Sequence, residues 1–89
     1  MQHRAYLGES FVPTFRMVDV RDPERTVDSA EYEIRVGGDI VATGQMEVQG
    51  NEGTFRFFAE HEGVNEIVVS YRMGQDAWKA KFRISVERP

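Results

Sequence analysis

The run Trp78-Lys79-Ala80-Lys81-Phe82-Arg83-Ile84-Ser85-Val86 is apolar at every even position and polar at every odd one. A period of two belongs to a strand with one buried and one wet face, whereas a helix repeats every ~3.6 residues. The alternation recurs in Ala30-Glu31-Tyr32-Glu33-Ile34-Arg35-Val36 and in Ile67-Val68-Val69-Ser70-Tyr71-Arg72-Met73. Working outward, Ile40, Ala42, Gly44, Met46 and Val48 read as an inward set, with Val41, Thr43, Gln45 and Glu47 facing out. Gly44 weakens that strand or marks a bulge between two shorter ones. Phe55, Phe57 and Ala59 form a further inward set. The stretch from Glu9 to Val20 reads as one long strand with Phe11, Phe15 and Met17 on one face. Pro13 cannot donate to a ladder, so that strand lies at an edge or kinks there. Val18 and Val20 fall on the opposite parity, which predicts a bulge or a switch between sheets. No window supports an amphipathic helix.

Turn residues punctuate these runs. Gly37-Gly38-Asp39 can supply the positive φ of a tight hairpin, and Gly50-Asn51 and Gly74-Gln75 recur at later junctions. Arg21–Asp28 is the one longer polar loop, and Glu60-His61-Glu62-Gly63 is another connection. About seven strands at a spacing of roughly 8–12 residues is the pattern of a β-sandwich or small barrel. The chain has 89 residues, 11 Lys+Arg, 15 Asp+Glu and a net charge of −4, without cysteine. That length fits one domain over residues 1–89. A missing cysteine removes disulfides, thiolate metal sites and a thiol nucleophile. The acidic balance disfavours nucleic acid and anionic membranes, which need a positive footprint. No apolar leader opens the sequence, and no run approaches the ~20 residues needed to span a bilayer. The expectation is synthesis in the cytoplasm, with a virion as one destination.

The order of features resembles the immunoglobulin-like modules of bacteria and phages. Its matching pieces are Gly8-Glu9-Ser10-Phe11, Phe15-Arg16-Met17-Val18-Asp19, Ser29-Ala30-Glu31-Tyr32-Glu33-Ile34, Gly53-Thr54-Phe55-Arg56-Phe57 and the closing run from Ile67 to Val86. Two departures are the absence of a Cys pair and the position of Trp78 in the last strand. The resemblance implies an immunoglobulin-like antiparallel β-sandwich used for adhesion, spacing or particle decoration. It carries over no catalytic residue.

The residues themselves offer little catalytic chemistry. His3 and His61 are the two imidazoles, no Gly-x-Ser-x-Gly elbow occurs, and the glycines are spaced for hairpins rather than phosphates. Outward carboxylate pairs such as Glu31 and Glu33 lie on a solvated strand face, a poor setting for general acid–base work. A non-enzyme without a cofactor is the expectation. Oxygen-rich candidates for calcium are Asp19, Asp22, Glu24 and Asp28, with Glu60-His61-Glu62 as a second group. Arg21 and Arg25 interleave the first cluster, which also reads as a solvated loop. A calcium- or small-ligand-binding sandwich is therefore the alternative function.

Interaction candidates are of two kinds. Lys79, Lys81 and Arg83 form a basic row on the last strand. Under immunoglobulin-like connectivity, Glu66, Val68, Ser70 and Arg72 lie beside it and Glu31, Glu33 and Arg35 lie beyond. Such a face is either charge-matched in itself or open to an acidic partner. Phe58 opposes the parity of Phe55 and Phe57, as Val12, Val18 and Val20 oppose Phe11, Phe15 and Met17. These residues form a partner-binding or self-association patch unless Tyr6-Leu7 or the kinked first strand covers them. The expected core is Phe15, Met17, Tyr32, Ile34, Ile40, Phe55, Phe57, Ile67, Val69, Tyr71, Trp78, Phe82 and Ile84. The leading functional expectation is a structural or protein-binding module of a phage, prophage or bacterial surface assembly; an accessory domain of an enzyme is a third reading.

Overall fold

The computed structural model describes residues 2–89 and is all β. Its strands are β1 (Gln2–Tyr6), β2 (Ser10–Phe11), β3 (Thr14–Arg16), β4 (Ser29–Val36), β5 (Asp39–Gln45), β6 (Glu47–Gln49), β7 (Glu52–Thr54), β8 (Phe57–Phe58), β9 (Gly63–Met73) and β10 (Asp76–Glu87). One layer is a five-stranded sheet in the order β1-β10-β9-β4-β5. The other comprises the β2-β8 pair and the three-stranded β3-β7-β6 sheet. All neighbours are antiparallel except β1, which runs parallel to β10. This is an immunoglobulin-like sandwich, with ten strand segments rather than seven.

The larger count has local causes. Phe11 faces Phe57 and Thr14 faces Thr54, so the register runs unbroken from β2 into β3 and from β8 into β7. Only the ladder fails, at Val12-Pro13, where the ring nitrogen has no hydrogen to give. A third division falls at Met46, where the chain leaves β5 in one layer and enters β6 in the other. The Met46 amide still donates to the Ala30 carbonyl at 2.9 Å, so the crossing is anchored. The strand expected over Glu9–Val20 stops at Arg16, and Val18 and Val20 belong to a loop.

Between the layers pack Phe15, Met17, Ile34, Phe55, Phe57, Ile67, Val69 and Ile84, all buried as their parity predicts. Tyr32, Tyr71, Trp78 and Phe82 are partly buried against them. Ile40 is the exception among the expected core residues, at 56% exposure. The pairing shifts between Ile34 and Arg35, so Ile40 faces Arg35 while Ala42 faces Ile34. One extra residue, Val41, is accommodated, and this bulge turns Ile40 onto the outer face. Val41, expected outside, is half-buried instead. Gly44 does not mark the bulge. It makes room for Tyr32, whose hydroxyl would lie 2.7 Å from any Cβ at that position.

The hairpin joining β4 to β5 pairs Val36 with Asp39 across Gly37 and Gly38, whose φ values are 59° and 88°. Two consecutive positive φ angles define the turn that suits the twist of a hairpin, and glycine adopts them without strain. At the far end of β9, the buried Asn65 amide donates to the carbonyls of His61 at 2.9 Å and Gly63 at 3.1 Å. Asn65 occupies an inward slot two residues before Ile67 and ties the Glu60–Gly63 connection to the core. Asn65→Ala removes both donors and opens a small cavity. A destabilisation of about 1–3 kcal/mol is expected in chemical denaturation, and a change below experimental error would refute this role.

Candidate functional site

On the outer face of the five-stranded sheet, each basic residue of β10 stands in a defined row. Lys79 faces Ser70 of β9, which faces Glu31 of β4. Lys81 faces Val68 and then Glu33, and Arg83 faces Glu66 and then Arg35. The neighbours expected from the sequence, β9 beside the basic row and β4 beyond it, are those observed. Glu66 lies 4.0 Å from both Lys81 and Arg83, and Glu33 lies 2.5 Å from Arg35. Lys79 makes no ion pair among the described residues, and Glu31 is two strands away, about 10 Å at the usual strand spacing. Most of this face is charge-matched. Exposed pairs of this kind contribute about 0–1 kcal/mol.

Phe58 lies on the other layer, so the four proposed interaction residues do not form one site. Its ring is 53% exposed, and its strand pairs only with β2 through Ser10 and Phe11. Tyr6 and Leu7, the alternative cover for it, are themselves 53% and 37% exposed. Tyr6 is instead held alongside β10, opposite Glu87. A shallow cleft of about 100 Å³ runs beside Phe58, lined by Tyr32, Val41 and Ala42 of the upper layer and by Arg56, Glu60 and His61 below. The flank exists because the five-stranded sheet extends past β8, leaving the inner side of β4 and β5 incompletely covered. Val12 and Val20 are exposed as well, at 47% and 88%. On the opposite flank an apolar groove of about 340 Å³ is lined by Phe11, Phe15, Phe82, Ile84, Pro13 and His3.

The acidic loop is organised by arginines. Asp19 Oδ1 accepts the Arg21 amide at 3.0 Å, and Asp19 Oδ2 accepts the Arg25 guanidinium at 3.2 Å. Arg25 also donates to Asp76 at 2.9 Å and to the Met73 carbonyl, and lies 5.7 Å above the Trp78 ring. It therefore ties the loop after β3 to the β9–β10 hairpin. Asp28 is occupied too, accepting the Gly74 amide at 2.6 Å. Asp22 and Glu24 are exposed. Among the described residues no three His, Asp or Glu side chains converge as a metal site. Glu62 of the second acidic group pairs with Arg88 at 2.8 Å, while the His61 carbonyl serves Asn65. In the sequence, Arg25 is only a charge that interleaves the acidic residues. Its span of 51 residues to Asp76 is a tertiary contact that no local spacing discloses.

No protein-family model matches the sequence, and no curated protein matches it. Solved structures do share its fold. The chain is similar to part of an endo-β-1,4-mannanase from Thermotoga petrophila, with a TM-score of 0.67 and 9% identity over 98% of this chain and 18% of that one. It is also similar to part of a putative glycoside hydrolase from Bacteroides vulgatus, with a TM-score of 0.57 and 17% identity over 96% and 16%. An immunoglobulin domain complex of titin M10 and obscurin-like 1 gives a TM-score of 0.54 and 16% identity over 99% and 87%. The chain thus spans less than a fifth of either glycoside hydrolase. At these identities the likeness establishes the immunoglobulin-like fold. Among the described residues no helix is long and apolar enough to cross a membrane.

Two expectations follow from the loop. The Arg21 amide, above all, together with Arg25 holds the Asp19 carboxyl below its usual value of 3.8, against a smaller opposing effect of desolvation. A depressed folded-state pKa gives stability that is complete above the unfolded value and lost as pH falls through the folded one. The melting midpoint should fall on acidification below pH about 4, and Asp19→Asn should make that fall shallower while lowering stability at pH 7. An unchanged slope would remove Asp19 from the account. With Asp19 and Asp28 already engaged, the loop should show the same midpoint in millimolar calcium as in chelator; a rise would demonstrate a bound ion.

Proposed function

We propose that this chain is a non-enzymatic structural or protein-binding module that contacts its partner through the flank bearing β5 and Phe58. Phe58 carries this reading. A phenylalanine left 53% exposed beside an open cleft, on a chain that buries or half-buries its other phenylalanines, is the signature of a contact surface. Aromatic side chains are also the commonest anchors of binding energy. The titin–obscurin-like neighbour is by its title a complex of immunoglobulin domains, which supports use of this fold between proteins. The sequence's lack of a nucleophile elbow and of a phosphate-binding glycine loop supports the non-catalytic reading.

The setting we infer from the resemblance is a phage or prophage particle or a bacterial surface assembly. A second reading is supported by the two glycoside hydrolase neighbours, which carry a like sandwich as a minor part of a longer chain. There the module would be an accessory domain, again non-catalytic, packing against its parent enzyme. Both readings use the same flank.

Tagged wild-type chain and Phe58→Ser are to be expressed in the cells where the sequence occurs, then quantified by mass spectrometry in purified particles and the cell envelope. Loss of an anchor ring should deplete the variant from the assembly about tenfold or more. Its melting midpoint should stay close to wild type, because the ring is mostly solvated already. Equal incorporation of the two, or absence of the wild type from both fractions, would contradict the proposal.

A further inference from the structure

The five-stranded sheet ends in two very different edges. On one side stand β1 and the uncovered half of β10, carrying Arg4, Lys79 and Lys81. On the other stands β5, Asp39-Ile40-Val41-Ala42-Thr43-Gly44-Gln45, whose only described backbone pairing is to β4. Natural edge strands are commonly protected by lysines, prolines, bulges or a covering loop. Beyond its bulge at Val41, β5 has none of these: Val41–Gln45 is five residues of uncharged backbone without proline. Above the cleft beside Phe58, this edge presents unpaired amide and carbonyl groups with no charge to repel another strand.

Building on the proposed function, we propose that the partner at this flank is a second copy of the chain, whose β5 pairs antiparallel with this β5 across a two-fold axis. A sheet of five strands from each copy would then run continuously through the dimer. Charge selects this arrangement. Centred on Thr43, the pairing sets Thr43 against Thr43 and Ala42 against Gly44, and in each of these pairs the facing side chains point to the same side of the sheet. Cross-strand threonine pairs are favourable, and within Val41–Gln45 no like charges meet. The two Asp39 side chains lie at opposite ends, about 26 Å apart at the strand rise and well beyond the ~8 Å screening length. The same operation on the β10 edge, centred on Ala80, would set Lys79 of each copy against Lys81 of the other, where like charges are destabilising. A two-fold pairing also consumes the open edge on both copies, so the assembly closes instead of growing into fibres.

Sedimentation velocity of the purified chain, from micromolar to about 1 mM, should show a reversible monomer–dimer equilibrium. Amide hydrogen exchange in Val41–Gln45 should slow as concentration rises. Thr43→Lys sets two lysines directly opposite in the dimer but beside Glu33 within each chain, so the fold is retained, as circular dichroism and the melting midpoint will verify. It should weaken dimerisation about fivefold or more. Lys79→Glu with Lys81→Glu should leave dimerisation unchanged. A wild type monomeric throughout the range, a dimer indifferent to Thr43→Lys, or a ladder of larger species weakened by the β10 charge reversal would each overturn the proposal. The last outcome would mean head-to-tail joining of β5 to β10. A monomeric wild type combined with depletion of Phe58→Ser from particles would leave the protein-binding function standing, with a foreign partner on the flank.

Discussion

Four aromatic rings in series hold the two layers of this sandwich together. Tyr32 of β4 stacks on Phe55 at 3.9 Å and 11°, and Phe55 lies parallel to Phe15 of β3 at 5.7 Å and 4°. Phe15 then meets Phe82 of β10 at 4.5 Å and 58°. The series starts in the five-stranded sheet, crosses to the smaller layer and returns two strands further along. Each such contact adds about 0.5–1.5 kcal/mol beyond the area it buries. In a chain without cysteine, this ladder takes the place that a disulfide fills in many small immunoglobulin domains.

Other features of the molecule are arranged around the ladder. Gly44 is a glycine because the Tyr32 ring lies across it. Pro13 is tolerated because the β2–β3 strand keeps its register on Phe11, Phe15 and their partners even where the backbone ladder lapses. The narrow smaller layer, with β8 paired on one side only, leaves β5 overhanging and Phe58 in water. A charge-matched outer face contributes little energy, but it keeps the broad sheet soluble.

Period-two patterning disclosed the fold class, the parity of nearly every core residue and the cross-strand rows on the outer face. Those features depend only on side chains alternating across a pleat. Ile40 escaped because one inserted residue reverses parity, and a bulge has no local signature when its residues are Ile and Val. Asn65 escaped because a polar residue in an inward slot reads as a strand boundary until its carbonyl partners are known. The acidic loop looked like a ligand site because composition shows carboxylates and not their partners. Arg25, reaching from the loop to the final hairpin, supplies one of those partners in three dimensions. Phe58 was legible throughout, since an aromatic on the wrong parity must either find cover or face water.

The ladder is tested most directly by removing its shared rung. Chemical denaturation of Phe55→Ala, with Phe58→Ala as the exposed aromatic control, compares a ring between two stacked neighbours with one already in solvent. The account predicts a loss of about 3–5 kcal/mol for Phe55→Ala and less than about 1 kcal/mol for the control. Comparable small losses at both positions would show that the layers are held by something other than the aromatic series.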